Sequence, residues 1–163
     1  MQRFIDPVHK QEAVDELKEF YRLTAEELYT AGWDWHLALP SEDTESIRTL
    51  RTCGRDIPIS RQGCNQTVYD SVPTNLLARF WHDVMHITLG KNFTFEQEVE
   101  VIRSQLMVLQ SKGLSGLAQE IFWADWYGQS LYYEHKGEFV KNQNAFMDSC
   151  LRHGIEIACK AKH

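Results

Sequence analysis

Two histidines four positions apart, an aspartate beside the first and a glutamate on a following segment carry the chemistry of this chain: His82, Asp83, His86 and Glu98. At about 100° per helical residue, His86 falls about 40° round from His82 and Asp83 about 100° round. Imidazoles at i and i+4 can grip one ion, and a carboxylate adds a hard oxygen donor while lowering the net charge of the site. The expected metal set is therefore His82, Asp83, His86 and Glu98, with Asp83 either binding the ion or orienting a histidine beside it. Such a set leaves a coordination position for water or substrate. The expected cofactor is a divalent metal, zinc first, with ferrous iron and magnesium as alternatives. The competing reading is a helix face whose histidines are satisfied by hydrogen bonds or solvent. It is weakened by the apolar surroundings, where an unpaired carboxylate costs several kcal/mol or takes up a proton.

These residues need a helical hairpin to meet. Pro73 opens a helix carrying Leu76, Leu77, Phe80, Trp81, Val84, Met85 and Ile87, and Gly90 closes it. Thr94-Phe95-Glu96-Gln97 reads as a capping box that starts the next helix, through Val99, Ile102, Leu106 and Leu109 to about Gly113. His86 then lies one turn before the break and Glu98 one turn after the cap, so they face each other across an antiparallel pair. Around this hairpin, Asp6-Pro7 starts a first helix through Val14, Leu17, Tyr21, Ala25 and Leu28, either one bent helix or two, with Gly32 as its stop. From Trp33 to Val72 the periodicity fails. A short helix from Glu42 to Leu50, capped by Ser41, and an extended Asp56-Ile57-Pro58-Ile59 are expected there, packed across the bundle by Trp33, Trp35 and Leu37. Ser115 starts a fourth helix ending near Gly137, and a last one runs from about Asn142 through Phe146, Leu151, Ile155 and Ile157. The expected fold is all-α: a single domain over 1–163, an antiparallel bundle of about five main helices with a long irregular segment between the first and second.

Composition narrows the function. With 17 basic against 23 acidic residues and a net charge of -6, the chain lacks the concentrated positive field of a nucleic-acid surface. No apolar run approaches the roughly 20 residues of a membrane span, though peripheral association stays open. Met1-Gln2-Arg3-Phe4-Ile5-Asp6-Pro7 shows no secretory apolar region, and Cys53, Cys64, Cys150 and Cys159 form no CxxC pair. Cytoplasmic, reduced thiols are expected, with a Cys53–Cys64 bridge as the minority reading.

Three further residues bear on the site. Arg79, one turn before His82, either holds a substrate anion or pairs with Glu98. Glu120, on the aromatic-dense fourth helix with Asp125 and Tyr127, is a candidate acid or base if that helix covers the hairpin, and a solvent-facing residue otherwise. Asp83 is the second candidate catalytic carboxylate. Rival chemistries fit less well. The zincin pattern fails because position 83 is aspartate, and no ExxH pair of a ferritin-like di-iron site occurs. A His-Asp phosphohydrolase would need His36 and Asp125 as further ligands.

The run His82-Asp83-Val84-Met85-His86, then eleven residues, then Glu98, resembles the signature of the metal-binding helical proteins of coenzyme Q biosynthesis. His86-Ile87-Thr88-Leu89-Gly90, Glu98-Val99-Glu100-Val101 and, with a one-residue slip, Leu109-Gln110-Ser111-Lys112-Gly113-Leu114 extend the likeness over Arg79 to Leu114. The resemblance implies a divalent metal, a helical fold, a hydrophobic quinone-like substrate, an oxidative decarboxylation of its head group and partner enzymes at a membrane. The function expected is a metal-dependent enzyme acting on a small or hydrophobic organic ligand. The alternatives are a metal-stabilised scaffold without turnover, an HD-like phosphohydrolase, or a helical domain without metal. Homo-oligomerisation stays open.

Overall fold

The structure is a computed structural model describing residues 3–161. Met1 and Gln2 of the amino-terminal stretch read above lie outside the described residues. Helix α1 (Pro7–Thr30) is one uninterrupted helix, so the choice between one and two is resolved. Asp6 caps it by accepting from the Val8 amide at 2.8 Å, and proline fills the first turn, where its missing donor is harmless. Ala13, Val14, Leu17, Phe20, Tyr21 and Ala25 form its buried stripe. Each large apolar side chain fully buried there contributes about 1.5–3 kcal/mol.

The segment after α1 is more ordered than its sequence suggests. β1 (Asp34–Leu37) and β2 (Asp56–Ile59) form a two-stranded parallel pair, with Asp34 opposite Asp56 and Leu37 opposite Ile59. The extended reading of residues 56–59 stands, but β1 is a strand that local sequence did not announce. The short α2 (Ile47–Thr52) begins later than expected, capped by Ser46 rather than Ser41. This segment packs across the bundle: Ile57, Ile59 and Cys64, flanked by Trp33 and Trp35, lie against Leu76, Phe80 and Val84, whereas Leu37, expected to join them, is exposed. All four cysteines are free thiols, so the Cys53–Cys64 bridge is not made.

Helix α3 (Val72–Leu89) is capped by Ser71 and ends at Gly90, whose φ of 68° is the left-handed geometry glycine adopts without strain. Helix α4 (Phe95–Ser111) starts at Thr94, but the capping box is not formed. The Thr94 side chain makes no cap bond, and Gln97 instead accepts from the Asn92 amide inside the connecting loop. α5 (Gly116–Trp123), capped by Ser115, passes through a π-helical turn π1 (Ala124–Gly128) into α6 (Gln129–Lys136), which ends at Gly137. The single helix expected here is interrupted by that π turn. α7 (Gln143–His153), capped by Asn142, stops at Gly154, and α8 (Ile155–Ala158) follows, so the expected last helix is broken in two. The chain is thus an all-α bundle of about five main helical runs. α1 packs on α3 and α5, and α4 on α3, α5 and α6, while Trp81 of α3 meets Phe122 of α5, so the inner face of α3 is turned into the bundle.

Candidate metal centre

His82 and His86 are buried polar residues on that inner face, 4% and 0% exposed. α3 and α4 run antiparallel: His86, near the end of α3, meets Glu98 at the start of α4, while His82, a turn back, also reaches Gln105 farther on. The His82 and His86 Nε2 atoms are 3.0 Å apart. Glu98 Oε2 lies 3.1 Å from His82 Nε2, and Oε1 lies 3.4 Å from His86 Nε2. His82, His86 and Glu98 each present a ligand atom within 4.8 Å of the others.

The hydrogen bonds behind the rings fix what those atoms are. His86 Nδ1 faces the Lys91 main-chain oxygen at 3.1 Å, and a carbonyl only accepts, so Nδ1 carries the proton and Nε2 presents a lone pair. Gly90 makes this possible. Its left-handed turn brings the Lys91 amide back to the His86 carbonyl at 3.0 Å and sets the Lys91 oxygen beside the ring. His82 Nδ1 faces Gln105 Oε1 at 2.9 Å, which again puts the proton on Nδ1 and the lone pair on Nε2. Two lone pairs and a carboxylate therefore converge. Atoms of that kind stay this close only around positive charge.

A single proton on His82 can serve its contacts with Glu98 and His86 but leaves the His86–Glu98 contact facing acceptor to acceptor. A divalent cation serves all three. Zinc donors roughly 2.0–2.2 Å from a shared ion at tetrahedral angles lie roughly 3.3–3.6 Å apart; the His86–Glu98 separation of 3.4 Å falls in that range, and those of 3.0 and 3.1 Å are slightly shorter. The electrostatics favour positive charge here, whether a proton shared from His82 or a cation. Burial opposes ionisation of Glu98, but His82 and His86 outweigh it and hold the carboxyl down to about 2. Burial likewise opposes charge on His82, but Glu98, Asp83 and Gln105 together push its pKa above the ordinary imidazole value.

Aromatic rings enclose the centre. Trp126 from π1 stacks on His82 at 4.2 Å and 20°, and Phe93 from the hairpin loop covers His86 at 4.2 Å. The extra residue of a π turn rotates the following side chains, and such turns recur at functional sites. The Glu98 side chain, 18% exposed, is the most solvent-accessible of the three. Two surface cavities lie beside the amino-terminal segment, lined by Arg3, Ile5, Lys10, Asp148 and Arg152; neither touches the cluster.

The other expected site residues are placed elsewhere. Asp83 is partly buried but not in the three-residue cluster. A step of about 100° round the helix turns it toward Arg79, its i−4 neighbour. Burial pushes its carboxyl up to about 7, with His82 and Arg79 lowering it and Glu98 raising it. Arg79 does not pair with Glu98: it donates to the Ser60 carbonyl at 2.7 Å, pinning the segment after β2. Glu120 is not brought to the centre either. Its carboxylate, 47% exposed, is held by Arg3 at 2.6 Å. His36 bonds Asp56 and Glu42 at the β1–β2 edge, and Asp125 bonds Tyr69 and Gln129, so neither supplies a phosphohydrolase ligand.

Sequence reasoning missed Gln105, Trp126, Phe93 and the Lys91 carbonyl. Gln105 was findable, being seven residues after Glu98 on the same face of an apolar helix. The others depend on tertiary placement. No family model, curated protein or solved structure matches this chain. The His-x-x-x-His-x11-Glu spacing is present as a spatial cluster, and no homology ties it to the coenzyme Q proteins.

Proposed function

We propose that this protein is a divalent-metal protein that uses His82, His86 and Glu98 to hold its ion for chemistry on a small or hydrophobic organic molecule. The observation that carries the reading is the convergence of two Nε2 lone pairs, each enforced by an acceptor behind its ring, on one carboxylate. Zinc ranks first and ferrous iron second, because both take two imidazoles and a carboxylate; magnesium, which prefers oxygen donors, ranks last. Three protein donors leave a position for a further ligand, where a bound ion supplies Lewis acidity toward an oxygen atom. Glu98 marks the side from which solvent or substrate reaches that position. Asp83 supports His82 from beside it rather than binding the ion, and the aromatic walls suit an apolar or planar organic molecule. A quinone-like substrate, peripheral membrane association and a cytoplasmic location belong to this finer reading, supported only by the motif resemblance and the composition.

The burial of both histidines favours a second reading, in which the ion holds the hairpin together without turnover. Metal content of the purified protein, measured beside His86→Ala, tests both. Near-equimolar metal in the parent and strong loss in the variant is expected. Negligible metal in both retires the two readings together.

A further inference from the structure

Gln105 stands two turns beyond Glu98 on α4 and is fully buried. Its Oε1 meets His82 Nδ1, while its Nε2 has no partner; among the described residues only Thr67 Oγ1 shares that condition. The two ends of this amide have opposite effects on the ring. The carbonyl accepts a proton held on Nδ1 and leaves Nε2 bare for a cation. The amino end, turned inward, would donate to Nδ1 and force the proton onto Nε2, where it blocks an ion.

We propose that Gln105 is a positioning residue that sets the tautomer of His82 and so governs how tightly the cluster holds a divalent cation. The inference rests on the metal reading above. The two histidines are unequal in this respect. His86 is locked by a main-chain carbonyl that can only accept, whereas His82 is set by an amide that a half-turn would reverse. The orientation present is the one that readies the centre for a cation, and it leaves the amide donor unspent.

Zinc affinity, read by competition with a coloured chelator, tests this in the parent, Gln105→Leu and Gln105→Glu. The leucine variant should bind about 10–100-fold more weakly, the usual effect of losing a partner behind a metal-bound histidine. The glutamate variant should match or exceed the parent, because a carboxylate can only accept from Nδ1. Ring-nitrogen NMR of the metal-free proteins at alkaline pH gives a readout that packing alone would not move. His82 should keep its proton on Nδ1 in the parent and lose that preference with leucine, while His86 is unchanged. A parent that binds no zinc overturns the metal site itself. A parent that binds, with the leucine variant within about twofold of it, overturns only the role of Gln105. Should the leucine variant fail to fold, the glutamate variant decides: weaker binding than the parent overturns the proposal, and equal or tighter binding supports it.

Discussion

Two buried polar clusters lie on either side of Trp126, and they are built on opposite principles. Around Asp125, donors and acceptors match. Tyr69 donates to Oδ2 at 2.8 Å, Gln129 donates to Oδ1 at 2.7 Å, the Tyr21 and Tyr69 hydroxyls are 3.1 Å apart, and Trp126 Nε1 reaches Tyr21 at 3.4 Å. That network is closed and needs nothing from outside. Around Glu98, with both rings neutral, the acceptors outnumber the donors, because both histidine protons are spent on Lys91 and Gln105. Burial of a polar group is therefore not by itself a functional sign. What distinguishes a site from a structural network is a surplus that only a ligand can satisfy.

Metal removal should separate the two clusters most sharply. A cation that binds only the folded chain, present at about 100 times its Kd, adds about 3 kcal/mol of stability, so a strong chelator should lower the thermal midpoint of the parent. His86→Ala should show no chelator response. A parent whose midpoint ignores both chelator and added zinc would put the Glu98 cluster in the same class as the Asp125 network.

The closed network should reveal itself through pH. Burial pushes Asp125 up to about 6, although Tyr69, Gln129 and Arg79 pull it down. Because the folded value lies above the unfolded 3.8, the folded chain binds the extra proton between them, and stability falls as pH rises through that window. Relative to Asp125→Asn, the parent should lose about 3 kcal/mol between pH 3 and pH 8, measured by urea unfolding. A flat difference would mean that the carboxylate is better solvated than its burial implies.

Tyr69→Phe should have the smallest effect. Removing the hydroxyl between Tyr21 and Asp125 should cost about 2 kcal/mol while zinc affinity stays at the parent value. A tenfold fall in affinity would show that the clusters act as one unit and that their separation is false.

Much of the bundle is legible because its signals are local. Ser115, Pro73, Gly90 and Gly137 mark helix ends by side-chain capping or backbone geometry, and each boundary lies close to them. The His82–His86–Glu98 cluster is legible for the same reason, since an i,i+4 pair and a short loop fix it within one hairpin. Several of the failures involve distance along the chain. β1 pairs with a strand some twenty residues later, in parallel, and nothing in Asp34–Leu37 names that partner. Arg79 satisfies itself on the Ser60 carbonyl, and Glu120 on Arg3, through packing that neither segment encodes alone. Asp83 lies outside the three-residue cluster, in keeping with its position about 100° round the helix from His82. The π turn left no trace because one extra residue barely disturbs an apolar pattern this dense.

The hairpin also bears on the order of assembly. Residues 82 to 105 supply both rings, the carboxylate, the Lys91 oxygen and the amide, so little loop-closure entropy opposes their meeting. Tyr21, Tyr69 and Asp125 must be gathered from three distant parts of the chain. A growing polypeptide can therefore form the coordinating hairpin before its carboxy-terminal third exists, whereas the tyrosine network waits until Asp125 and Gln129 have been added.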